Sequence, residues 1–328
     1  MFAGLLHSAA ADLAASTPAV NPWRFQAHPE VWLLVIFFVG AYIYMARVIG
    51  PKAVPAGVAP VSRKEWICFI GAIALFWFGA DWPVHDIGEG YLYSVHMFQH
   101  MIFTYLMPPL ALMAIPTWMA RTVVGDATAY RVLSWFAKPV VAGVLFNLAV
   151  MITHIPGVVN ASTTNGILHY SLHLMLVTLA LLMWTPVVGP FPELQMGVGG
   201  KCIYLFLMSV VPTVPAGWLV FAEGAVYKHY SQPVRVWGIS VTDDQQIAGG
   251  IMKLGGAAFL WGITIYLFFR KFGAGVETEN TYVRKGQMPT AEITGHDDEP
   301  LTYDEVTAAF RSSEPSLLEA EQAPRDQR

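Results

Sequence analysis

The chain has 328 residues, of which 55% are hydrophobic and only 13% charged, with a mean hydropathy of +0.48. Soluble domains carry roughly 25% charge, so this composition excludes an ordinary soluble enzyme and points to a polytopic membrane protein. The net charge of −4 is unevenly spread: residues 273–328 hold 12 acidic and 5 basic residues, −7 in all, and the remainder is +3, which argues against a nucleic-acid partner.

Residues 1–20 are mildly apolar and Ala-rich but lack the basic n-region of a signal peptide. Residues 1–30 are therefore expected to form a retained outer segment lying at the membrane interface. Seven apolar runs then reach the roughly 20 residues a helix needs to cross a bilayer. They are Val31–Ile49, Lys64–Trp82, Tyr91–Ile115, Val132–Ile155, Gly166–Val188, Lys201–Phe221 and Gln246–Phe269. Pro108, Pro109 and Pro116 interrupt the third run, and Pro212 and Pro215 the sixth. Proline frees backbone carbonyls inside a span, which neighbouring helices or water must satisfy.

Lys and Arg placement sets the expected orientation. Arg47, Lys52, Arg63 and Lys64 surround the first loop, Arg121, Arg131 and Lys138 lie in the third, and Arg270-Lys271 close the last run. These belong on the cytoplasmic side. The second loop holds Asp81, His85, Asp86 and Glu89 without Lys or Arg, and the fourth has no charge. The fold expected is thus all-α: a seven-helix transmembrane bundle over residues 31–272, N-terminus outside and C-terminus inside. The sixth loop, with Lys228 and Arg235, fits this orientation least well. Residues 273–328 cannot bury a core and are expected to be a mostly disordered acidic cytoplasmic tail, with a short amphipathic helix over Thr302–Arg311.

Two histidine pairs, His96/His100 and His169/His173, lie inside the third and fifth runs. Four residues is about one helical turn, so each pair projects from one helix face. Counted at about 1.5 Å per residue, both pairs lie roughly 5–14 Å below the outer surface, on helices that run parallel. An ionisable side chain inside a membrane span is costly and usually faces the protein interior or a water-filled cavity. The plainer alternative for each is a packed, hydrogen-bonded histidine; two H-x-x-x-H pairs in one chain favour a metal site. If the two helices are neighbours, four imidazoles meet on one ion, with His154 at the rim.

Imidazole suits copper and zinc, while thioether selects Cu(I), so copper, as Cu(I), is the ion expected. Met97 and Met101 are also four apart. Met97 either edges the site or packs, and packing is expected for Met101. Cys68 and Cys202 fall near the inner ends of their helices, too far away to join. His85 and His229 are expected in loops, forming at most a relay towards the ion. Asp243-Asp244-Gln245-Gln246 precedes the seventh run. A carboxylate there can simply cap the helix; alternatively Asp244 is the acceptor that orients a metal-bound imidazole. No nucleotide-binding Gly-rich loop and no G-x-S-x-G motif is present, which argues against ATP-driven transport and against an enzyme.

These residues carry a resemblance. Ser94-Val95-His96-Met97-Phe98-Gln99-His100-Met101, followed by Met107-Pro108-Pro109-Leu110 and Ile115-Pro116, resembles the H-M-x-Q-H…P-P-L…P signature of the cytochrome c oxidase assembly factor CtaG family. Thr153-His154-Ile155-Pro156-Gly157, His169…His173, Trp184-Thr185-Pro186 and Asp243-Asp244-Gln245-Gln246-Ile247-Ala248-Gly249-Gly250 resemble further blocks, so that the likeness runs over residues 30–272. Lys253 stands where an aromatic residue is expected. The resemblance implies a multi-pass protein of the bacterial inner (cell) membrane that assists maturation of the respiratory chain. Its partners would be cytochrome c oxidase subunits and other copper chaperones. Together with the histidines it suggests copper delivery by ligand exchange. Three alternatives stand beside it: a haem-binding membrane redox protein, a non-metal structural partner of a respiratory oxidase, and a metalloenzyme acting on a lipophilic substrate.

Overall fold

The computed structural model describes residues 21–231 and 235–284, and every regular element among them is helical. The chain divides into two units, residues 1–271 and 272–328; the first carries both histidine pairs. The expected interfacial segment at residues 1–20 and the helix expected over Thr302–Arg311 lie outside the described residues.

In chain order the helices are α1 (Pro29–Ala53), α2 (Arg63–Ala80), α3 (Val84–Gly90), α4 (Tyr93–Ala114), α5 (Thr117–Val124), α6 (Ala127–Phe136) and α7 (Pro139–Thr153). There follow α8 (Pro156–Ser162), α9 (Gly166–Val188), α10 (Val198–Val210), α11 (Thr213–Phe221) and α12 (Val241–Gly273), the last of which continues to Arg284. The stretches Pro29–Ala53, Arg63–Gly90, Gly166–Val188, Val198–Phe221 and Val241–Gly273 are each long and apolar enough to cross a membrane. Two bent pairs, α4 with α5 (96°) and α6 with α7 (66°), raise the number from five to seven if each is one span. This is a helical membrane protein.

Prolines explain the bends. Pro116 leaves Ile115 extended (ψ 110°), and Pro139 does the same to Lys138 (ψ 131°), because the ring blocks the helical conformation of the residue before it. The expected fourth run, Val132–Ile155, is therefore two helices that meet at an angle. Pro108 and Pro109 act differently. They follow a π-helical turn, Ile102–Leu106, and α4 passes through them unbroken. Neither has an N–H to offer the Thr104 carbonyl. The fully buried Trp184 of α9 takes that role, its Nε1 donating to Thr104 O at 2.9 Å. The proline-freed carbonyl thus ties α4 to α9. In lipid such a bond and close packing, not hydrophobic burial, hold helices together. Lys253, in the π turn Ile251–Gly255, ties α12 to the break in the sixth span: its ammonium donates to Ser209 O and to Thr213 Oγ1.

The packed centre is Trp184, Phe146, Met183, Ala180 and Leu205, drawn from α7, α9 and α10. Above it the second loop is not a loop but the short helix α3. Gly88 lets α3 lie directly on α4, since a Cβ there would stand 3.1 Å from the backbone of His96.

Candidate metal centre

His96 and His100 pack one turn apart on α4 with tilted rings (centroids 4.4 Å), as do His169 and His173 on α9 (4.5 Å). Across the helices His100 lies 5.0 Å and His96 5.7 Å from His173, and His96 6.1 Å from His169. The two pairs therefore meet. The Trp184–Thr104 bond, one to two turns further along α4 and three to four along α9, ties the two helices side by side.

The four imidazoles do not form one equivalent set. His96, His100 and His173 offer ligand atoms all within 4.8 Å of one another, and so do Glu89, His169 and His173. Only His173 is common to both. Two ligands on one ion lie no more than about 4.2 Å apart, twice a metal–nitrogen bond of about 2.1 Å, so either triad closes on an ion with sub-ångström adjustments. His100 Nε2 is buried without a hydrogen-bond partner, which is what a ligand nitrogen looks like before its ion is present.

Glu89 is the residue that sequence reasoning missed as a ligand. Its Oε1 accepts a 2.8 Å bond from His96 Nδ1 and lies 3.1 Å from His169 Nε2. A signal for it was in the chain: the second loop holds three carboxylates and no Lys or Arg, beside a histidine-bearing span. With α3 laid on α4, the nearest positive partners are imidazoles.

Asp244 does not touch an imidazole, contrary to the orienting role weighed for it. It is fully buried, and its oxygens accept from Tyr93 N and Ser94 N, both at 2.9 Å, and from Ser94 Oγ at 2.6 Å. The first N–H groups of a helix have no partner within it, and at α4 this carboxylate from α12 supplies one. Arg235 Nη2 stands 3.4 Å from it. Its neighbour Gln245 accepts from Val226 N and Tyr227 N at 2.7 and 3.2 Å, pinning the loop that follows α11.

That loop, the sixth, reaches the site's backbone three times. Tyr227 donates to His154 O (3.0 Å), Tyr230 to Gly88 O (3.0 Å), and His229 Nε2 to Glu89 O (2.8 Å). Burial pushes the Tyr227 phenol up to about 12 against an opposing hydrogen bond from Tyr93, so it stays a donor. The two tyrosines were not picked out from sequence. His229 is in the loop as expected, engaged with the backbone.

His154 is buried, not at a rim. Its Nδ1 donates to Val150 O at 2.7 Å, and its Nε2 lies 3.4 Å from the Met97 sulfur. Met101 packs against the main core, as expected. His85 sits on α3, half-buried, with its Nδ1 3.1 Å from Gln99 Nε2 and its ring 6.5 Å from His169 and 5.0 Å from His28. Neither cysteine enters a ligand group among the described residues. A cavity of about 950 Å³ among α1, α2, α4 and α9 has His85, Gln99, His169 and His173 in its lining, which matches the rule that intramembrane ionisable groups face a cavity.

Comparison with known proteins agrees with the motifs. A family model described as cytochrome c oxidase caa3 assembly factor matches residues 40–273, and no curated protein or solved structure matches the chain. That match covers α2 to α11 and most of α1 and α12, including every histidine of the cluster. The chain belongs to the cytochrome c oxidase caa3 assembly factor family.

Proposed function

We propose that this assembly factor binds copper at the histidine cluster and helps to supply it to a cytochrome c oxidase subunit. The observation carrying this reading is the convergence of His96, His100 and His173 within 4.8 Å, with Glu89 and His169 alongside. Imidazoles suit copper, and a carboxylate at the edge gives a second, harder donor. The protein would work by ligand exchange and not by catalysis, in the bacterial inner membrane. The Lys/Arg placement supports a cluster on the outer side, where other copper chaperones would be its partners. Paired rings 4.4 and 4.5 Å apart on each helix leave space for a compact ion between them, not for a haem macrocycle.

The test is metal analysis of the purified protein after copper loading, repeated on a His96→Ala/His100→Ala double variant. Wild type should retain copper and the variant should not. Equal copper in both would refute the reading.

A further inference from the structure

Below the histidine cluster lies a small cavity of about 30 Å³, bordered by Met97, His100, Met101, His154 and Met252 among others. We infer that this cavity is a Cu(I) site of thioether and imidazole ligands, separate from the Glu89–His169–His173 position. The inference rests on the copper reading above and adds a second, softer place for the ion.

Three observations carry it. The first is a fixed tautomer. A backbone carbonyl only accepts, so the 2.7 Å bond from His154 Nδ1 to Val150 O puts the proton on Nδ1. A neutral ring, favoured where charge is costly to bury, then presents the Nε2 lone pair to the Met97 sulfur at 3.4 Å. Two lone pairs face each other with no proton between them. With metal–ligand bonds of about 2.0 Å to nitrogen and about 2.3 Å to sulfur, a 3.4 Å separation corresponds to an angle of about 104° at an ion, close to tetrahedral. The second is the orphaned His100 Nε2, buried beside the same cavity. The third is composition: three methionines and two histidines border a space with room for one ion or water. Soft thioethers select Cu(I), while Zn(II) and Cu(II) prefer the imidazole and carboxylate donors above.

His100 borders the cavity and also belongs to the triad with His96 and His173. An ion can therefore pass from the triad to the thioether site while keeping one ligand throughout. Met252 lies in the π turn of α12, so α12 contributes to this site though not to the cluster above.

X-ray absorption on the full-length protein loaded anaerobically with Cu(I) tests the proposal. Sulfur scattering near 2.3 Å is expected in wild type, and it should fall in a Met97→Leu/Met252→Leu double variant, which leaves only the core-packed Met101 and conserves side-chain volume. Cu(I) affinity should fall in that variant by at least the roughly tenfold that follows even loss of an outer metal partner, with Zn(II) affinity unchanged. A wild-type copper shell of nitrogen and oxygen alone, or Cu(I) affinity unaltered by the double substitution, would overturn the inference and leave the histidine cluster standing. A wild type that holds no copper would end both.

Discussion

Asp244 on α12 accepts hydrogen bonds from the backbone N–H and the hydroxyl of Ser94, the second residue of α4, at 2.9 and 2.6 Å. A carboxylate 150 positions away in the chain thus serves as the N-terminal cap of the helix that carries His96 and His100. Anionic groups are favoured at helix N-termini by the unpaired N–H groups and the helix dipole. Because the cap is foreign to the helix, the direction of α4 and the depth of its histidines depend on α12.

Replacing Asp244 with Ala should leave Tyr93 N, Ser94 N and the Arg235 charge without their partner. Breaking a buried charged network of this kind costs about 3–5 kcal/mol. Thermal unfolding in detergent should show that loss, and the surviving folded fraction should hold less metal. Asp244→Asn, which keeps one acceptor oxygen, should fall between the two. An alanine variant as stable as wild type would show that α4 is held elsewhere.

Glu89→Gln keeps the shape and one acceptor but loses the negative oxygen beside His96 and His169. Affinity for Zn(II), a probe of the harder position, should drop by roughly 10–100-fold, while unfolding is little changed. Isothermal titration decides it; unaltered Zn(II) binding would remove Glu89 from the ligand set.

Trp184→Phe deletes the indole donor to Thr104 O and also removes ring volume from the packed core. No backbone N–H of α4 can replace it, since both residues able to reach are prolines. The unpaired buried carbonyl alone accounts for about 1–3 kcal/mol, and the lost core volume adds to it. Metal content should fall as well, since this bond sets α4 against α9. Full copper retention with normal stability would mean the helices are aligned by other contacts.

His28, just ahead of α1, donates to Asp86 and to Glu30, each at 3.2 Å. Partial burial disfavours its charged form, but the two carboxylates outweigh this and raise its pKa above 6.5. A raised pKa in the folded state means the contribution is complete below pH 6.5 and disappears as pH rises through the raised value. The melting-temperature advantage of wild type over His28→Ala should therefore be full below pH 6.5 and shrink towards zero as the pH rises above it, for an effect no larger than about 1 kcal/mol. A pH-independent difference would exclude the ion pairs as its cause.

Reading the chain alone located the apolar runs and both histidine pairs, because a span announces itself by its length and a helical face by its four-residue period. It also carried the family through its proline and Asp-Gln-Gln blocks. Glu89, Tyr227 and Tyr230 escaped, since each reaches the site through a loop or short helix whose course no local pattern records. Asp244 was singled out for the wrong partner: an aspartate before a helix looks like that helix's own cap or a ligand's support, and only packing revealed that it caps another helix.

What the sequence by itself determined is the apolar, all-helical character of the spans and the pairing of histidines on helix faces, because both follow from residue spacing along one chain. What only the tertiary structure decided is which of these side chains come within ligand distance of one another. His173 divides its reach between His96/His100 and Glu89/His169 because Trp184 and the prolines of α4 hold two distant helices together, and distances across helices are not encoded in any single one of them.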